Sequence, residues 1–92
     1  MANSVNVQKK VEIFSGPQCN YCNQAKALLD EIGIDYIELD ISDDKHRDEF
    51  AHRLPRIRSI PQIFVDEQHI GGFEDLQILK EKGQLEGVLK GV

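Results

Sequence analysis

Two cysteines, Cys19 and Cys22, stand three apart in "SGPQCNYCNQAK", and the chain has no others. A C-x-x-C pair can be half of a zinc site, a static cross-link or a working dithiol–disulfide couple. Zinc needs four ligands, and the further candidates are His46, His52 and His69. His46 and His52 share a zinc-like spacing, but they lie beyond the gap of about 12–15 residues usual after a cysteine pair. They also fall on a polar helical stretch rather than a knuckle. A static cross-link closes so small a loop that it removes little entropy from the unfolded chain. The redox couple is the reading the residues favour. A thiol attacks as its thiolate, so one sulfur attacks an incoming disulfide and the other resolves the mixed disulfide.

The flanking elements decide which sulfur does which. "VEIFS" before the pair is a short β-type run, ended by Gly16-Pro17. From about Cys19 the apolar residues Cys22, Ala25, Leu28, Leu29 and Ile32 recur every three or four positions, which predicts a helix with Gly33 as its stop. Cys19 then stands at the first turn. There the unpaired N–H groups of about Tyr21 and Cys22, together with the positive helix end, stabilise a thiolate. Such positions lower a cysteine pKa from about 8.5 to about 3.5–7.5. Cys22, one turn on, points toward the core with a less exposed and less acidic thiol. Cys19 reads as nucleophile and Cys22 as resolver.

The rest of the chain supplies the frame. "DYIELDI" (35–41) alternates strictly, with Ile37, Leu39 and Ile41 on one face, and predicts a strand with that face buried. Ser42 and Asp43 open a polar helix in "SDDKHRDEFAHRL". "QIFVD" and "QHIGG" predict two short strands around a tight Asp66-Glu67 turn. "FEDLQILKEKG" predicts a helix with Leu76 and Leu79 inward and Gly83 as stop, and "LEGVLKG" adds a last turn or two. The order is β-α-β-α-β-β-α: a right-handed parallel βαβ unit, a hairpin and a closing helix. An α/β fold follows, a four-stranded mixed sheet with helices on both faces. The sulfurs fall at the carboxyl end of the first strand, where such sheets form their sites.

Ninety-two residues make one small domain, read as a polar lead-in over 1–9 and a folded unit over 10–92. A net charge of −5 argues against a nucleic-acid partner. No run approaches the roughly 18 apolar residues of a membrane helix. "MANSVNVQKK" has no apolar h-region of a secretory signal, so the expected compartment is cytoplasmic, where structural disulfides are rare.

Three ordered motifs carry a resemblance: C-N-Y-C followed by "AKALL", "SIPQIF" from Ser59 to Phe64, and "GGFEDL" from Gly71 to Leu76. Over residues 10–90 the chain resembles the glutaredoxins. The resemblance implies a thioredoxin fold with strand order 2-1-3-4 and the fourth strand antiparallel to the third. It implies a glutathione-dependent oxidoreductase that reduces protein–glutathione mixed disulfides and protein disulfides. Glutathione is then the co-substrate, glutathione reductase stands indirectly behind it, and the chain works as a monomer with no resident metal.

The resemblance also assigns residues. Pro61 opens a strand, where a missing N–H is tolerated; in the family it is cis and lies beside the sulfurs. With Ser59 it frames Ile60, whose backbone can pair with a thiol peptide as a short added strand. Gly71 and Gly72 let a ligand approach closely. The N–H groups of Phe73 and Glu74 then receive the γ-glutamyl carboxylate at a helix start, and Glu74 or Asp75 takes the ammonium. Both acids would favour that helix end even without a ligand. Tyr21 flanks the site.

Three positions depart from the family pattern. Gly16 stands where a lysine usually holds the glycine carboxylate of glutathione; Arg58 can substitute, or it is a solvated loop arginine. Lys26, one turn past Cys22, reads as solvated. Asn20 stands where proline is typical in dithiol members. In related proteins such residues accompany a [2Fe-2S] cluster shared by two subunits and two glutathiones, which is the alternative function. Cys19 would then be the protein's ligand. A redoxin served by thioredoxin reductase is a third reading, disfavoured by the complete "GGFED" segment.

Overall fold

"VEIFS" becomes an interior strand, β1 (Val11–Ser15), buried along its whole length in the computed structural model, which describes residues 8–91. Residues 1–7 of the polar lead-in and Val92 of the folded unit lie outside the described residues. The Gln8 side chain bonds both backbone groups of Asp35, and the Lys9 N–H donates to the Leu89 carbonyl at 2.9 Å.

The helix α1 (Asn20–Glu31) begins with Cys19 as its N-cap. It ends where the apolar stripe ends, at Gly33 with φ +75°, a conformation glycine adopts without penalty. Next come β2 (Ile37–Asp40), α2 (Asp44–Arg53), β3 (Gln62–Val65), β4 (Gln68–Gly71), α3 (Phe73–Glu81) and α4 (Leu85–Lys90). The Asp43 carboxylate caps α2 by accepting from the Lys45 N–H. The hairpin turn takes positive φ at both Asp66 and Glu67, as two-residue hairpins require.

The sheet order is β2-β1-β3-β4. β1 runs parallel to β2 and antiparallel to β3, and β4 is antiparallel to β3. This is the mixed sheet expected from the sequence. Alternation along β1 and β3 sends side chains to two cores. Val11, Ile13, Ile63 and Val65 pack with Ala25, Leu28 and Leu29 of α1, Leu76 of α3 and Leu85 and Leu89 of α4. Phe14 and Phe64 point the other way, onto Phe50 and Leu54 at α2. Both Phe14–Phe50 and Phe14–Phe64 are edge-on aromatic contacts.

One expectation is corrected. The strand predicted over 35–41 is shorter, and its apolar face is not buried throughout: Ile37 is 49% exposed. Leu39 and Ile41 pack half-buried on the aromatic core, but β2 is an edge strand and nothing covers its first residue. Among the described residues no helix is long and apolar enough to cross a membrane.

Candidate active site

The strand-to-helix junction places the sulfurs. β1 ends at Ser15, the chain turns through Gly16-Pro17, and Gln18 takes φ +55° immediately before Cys19. Cys19 is half-buried and extended, as an N-cap must be. Its Sγ accepts the Cys22 N–H at 3.2 Å. Of the two N–H groups expected to serve the sulfur, Cys22 supplies the bond. Cys22 itself is fully buried against the sheet. The pair is joined as a disulfide, with Cα atoms 5.2 Å apart, so this is the oxidised form of the couple. Cys19 is thus the more accessible sulfur and Cys22 the buried one, the contrast in exposure read from the sequence.

The Ile60–Pro61 peptide is cis. The Ile60 carbonyl oxygen lies 3.9 Å from Cys19 Sγ, which brings this loop to the sulfurs. A cleft of about 300 Å³ opens there, lined by Tyr21, Ser59, Ile60, Pro61, Gln62, Gly72, Phe73, Glu74 and Asp75. Tyr21, 60% exposed, stands against Phe73 with ring centroids 5.9 Å apart. Of the site residues named from the sequence, the cleft gathers all but three. Arg58 is exposed and outside the lining, Cys22 is buried beneath the site, and Cys19 meets the cleft through Ile60.

The far wall is built from β4 and α3. The Asp75 carboxylate accepts the Gly72 N–H at 2.8 Å and so closes the start of α3. Gly71, at φ +132°, leaves room for that carboxylate; a Cβ there would collide with it. Glu74 is exposed and has no ion-pair partner among the described residues. At Gly16, a Cβ would come within 2.9 Å of Ile60 Cδ1, so a lysine there would first have to push the Ile60 side chain aside.

Two features near the site were not read from the sequence. Lys26, expected to be solvated, pairs with Glu38 at 2.8 Å, and the same carboxylate oxygen accepts the buried Ser15 hydroxyl at 2.6 Å. The hydrogen bond to Glu38 raises the Lys26 pKa; the bonds from Lys26 and then Ser15 lower that of Glu38. Gln62, seen beforehand only as a strand residue, lines the cleft from a buried position. A polar residue heading the apolar run after Pro61 was the available signal. Among the described residues no three His, Cys, Asp or Glu side chains gather to hold a metal ion.

Comparison with known proteins adds to this geometry. The glutaredoxin family model matches residues 11–70. Glutaredoxin 3 of Escherichia coli strain K12 is 44% identical over 81 residues, which cover 87% of this chain and 96% of that protein. The solution structure of glutaredoxin from Brucella melitensis aligns with a TM-score of 0.74 at 36% identity, covering 94% of this chain and 95% of that one. The crystal structure of a buckwheat glutaredoxin–glutathione complex aligns with a TM-score of 0.79 at 26% identity, covering 94% of this chain and 80% of that one. A family match that spans the sulfurs and the cis proline alike, with relatives aligned nearly end to end, leaves one conclusion: the chain belongs to the glutaredoxin family of thiol–disulfide oxidoreductases.

Proposed function

We propose that the chain is a glutathione-dependent oxidoreductase that reduces protein–glutathione mixed disulfides and protein disulfides. The observation that carries this reading is the cleft between the cis-proline loop and the start of α3, whose Ile60 wall lies beside Cys19 Sγ. Its two walls suit the two ends of a γ-glutamyl thiol peptide. Among the described residues the Ile60 N–H has no backbone partner, so an extended peptide can pair with it as an added strand. The first N–H groups of α3, at Phe73 and Glu74, suit a carboxylate. Glu74, or the remaining oxygen of Asp75, takes the neighbouring ammonium. The buckwheat relative was crystallised as a glutathione complex.

The Cys19 thiolate attacks the glutathionyl sulfur of a modified protein. A Cys19–glutathione disulfide forms, the old disulfide breaks, and the protein thiolate leaves and takes a proton. A second glutathione thiolate then attacks the bound glutathionyl sulfur, releasing oxidised glutathione and the Cys19 thiolate. With a protein disulfide, Cys19 attacks one sulfur and releases the first protein thiolate. Cys22 then attacks Cys19 Sγ of the mixed disulfide, releases the second protein thiolate and forms the Cys19–Cys22 disulfide, which two glutathiones reduce to the dithiol with release of oxidised glutathione. The oxidised glutathione is recycled by glutathione reductase. The protein works as a cytoplasmic monomer, where the glutathione pool is reducing.

The test is turnover of a glutathionylated peptide with either glutathione plus glutathione reductase or thioredoxin reductase as the electron supply. Turnover with the first supply is expected. Turnover with thioredoxin reductase alone would overturn the glutathione reading.

A further inference from the structure

Behind the cleft, on the α2 side of the sheet, a short hydrogen-bond chain crosses from β4 to the cis-proline loop. The Gln62 side chain, on a residue only 6% exposed, donates through Nε2 to the Ser59 carbonyl at 3.2 Å and lies 3.3 Å from the Ser59 hydroxyl. Its Oε1 lies 2.7 Å from Nε2 of His69. Chemistry fixes the direction of the chain. A backbone carbonyl only accepts, so the amide nitrogen of Gln62 must face Ser59 and its oxygen must face His69. His69 therefore carries its proton on Nε2 and donates. The imidazole is held in turn by Phe64, its neighbour across the strands, with ring centroids 5.2 Å apart.

Both ends of this chain bear on the cleft. Ser59 and Ile60 form one wall, yet among the described residues neither makes a backbone–backbone hydrogen bond, and Pro61 has no N–H to give. The Gln62 amide is what fastens this wall to the sheet. His69 stands two residues before Gly71, on the strand that runs directly into the other wall at Gly72. The chain thus ties the two walls together and keeps Ile60 beside Cys19 Sγ.

We infer that Gln62 and His69 are positioning residues, a coupled pair that sets the width of the thiol-peptide cleft without touching the reacting sulfurs. This rests on the glutathione reading above. A loosened wall weakens binding of the peptide but leaves the Cys19 thiolate and its Cys22 N–H donor in place. The signature is a rise in KM for a glutathionylated peptide with little change in kcat.

Three variants test it: Gln62→Leu, His69→Phe, which keeps a ring on Phe64, and the double variant. Gln62→Leu should raise KM about tenfold, the worth of two modest hydrogen bonds, with kcat held within about twofold. His69→Phe should raise KM about threefold, since the amide keeps its Ser59 bonds but loses its anchor. The double variant should be no worse than Gln62→Leu alone, because both act through one amide. An unchanged KM in Gln62→Leu would overturn the inference. So would additive effects in the double variant, or a fall in kcat that merely tracks the fraction of folded protein by thermal melting. If Gln62→Leu does not fold, His69→Phe decides: a raised KM at constant kcat supports the couple and an unchanged KM refutes it. Wild-type turnover separates the two levels. Its absence sinks the glutathione reading and this one with it, whereas wild-type turnover with unshifted variants sinks only the couple.

Discussion

The two faces of the sheet are finished in different ways. On the α1, α3 and α4 side a continuous aliphatic core fills the layer, and α1 also carries the buried Cys22. On the α2 side four aromatic and aliphatic residues form a smaller core around a buried charge. Glu12, 5% exposed in the middle of β1, meets the Arg53 guanidinium through both oxygens at 3.0 and 3.2 Å. That guanidinium also bonds Glu49 at 2.7 Å and lies over the rings of Phe14 and Phe64. These acid partners hold the Arg53 pKa above its already high ordinary value. The α1 side carries the sulfurs, whereas the α2 side pins a polar helix whose only buried residue is Phe50 and carries the Gln62–His69 chain behind the cleft. The rate of the sulfur chemistry and the stability held by Arg53 should therefore be separable by face.

The largest effect that could break this separation lies at the sulfurs. Cys19→Ser removes the nucleophile and should abolish turnover of every disulfide substrate. Cys22→Ser should keep turnover of glutathionylated peptide, since glutathione itself can resolve the Cys19 adduct, but lose reduction of protein disulfides. Both should melt close to the reduced wild type. Rates on the two substrate types, measured side by side, check this, and an active Cys19→Ser protein would sink the assignment of roles.

The next effect belongs to the other face. Arg53→Met leaves the buried Glu12 carboxylate with only the half-exposed Lys10 ammonium, 4.0 Å away, which costs about 3 kcal/mol. For a domain of this size that lowers Tm by about 12 °C or more. Because neither residue bonds the sulfurs or lines the cleft, kcat per folded molecule should stay within about twofold of wild type. Adding Glu12→Gln to Arg53→Met should recover part of the loss, since the weakly paired buried charge is gone. Thermal melts and rates on the same samples decide it; a kcat that falls with Tm intact would show that α2 does reach the site.

Where the sequence was legible, its signals were local. The cysteine spacing, the apolar stripe from Cys22 to Leu29, the glycine at 33 and the proline opening a strand each act within one turn of their own position. They therefore announced the helix that starts at Cys19 and stops at Gly33, whereas the sheet order and the loop at the sulfurs came from the family resemblance. What escaped depends on residues far apart. Glu12 and Arg53 are 41 positions distant, so in sequence Glu12 looks like the polar side of an alternating strand. Gln62 meets His69 only because the hairpin folds back, and Lys26 meets Glu38 only because α1 lies over β2. Ile37 failed for the converse reason: alternation predicts a face, but not whether a helix covers it at the sheet edge.

Lys26 and Glu38 sharpen the comparison, because they repeat the chemistry of Arg53 and Glu12 at a wetter place. Their side chains are 23% and 40% exposed, against 21% and 7% for Arg53 and Glu12. The pKa of Glu38 is lowered in the fold, chiefly by the Lys26 hydrogen bond, so its stabilisation is present above the ordinary carboxylate value and is lost as pH falls through the folded one. The pKa of Lys26 is raised, chiefly by Glu38, so its stabilisation is present below the ordinary lysine value and is lost as pH rises through the folded one. The pair therefore contributes across the neutral range and fades at both ends. Glu38→Gln should cost less than about 1 kcal/mol at pH 7, as expected for a solvent-screened pair. The gap to wild type should close as pH falls through the lowered Glu38 value, and shrink in 0.5 M salt. Melting both proteins across that pH range measures it. A gap that persists at low pH would mean that the Ser15 hydroxyl bond and packing, rather than the charge pair, hold α1 to the edge of the sheet.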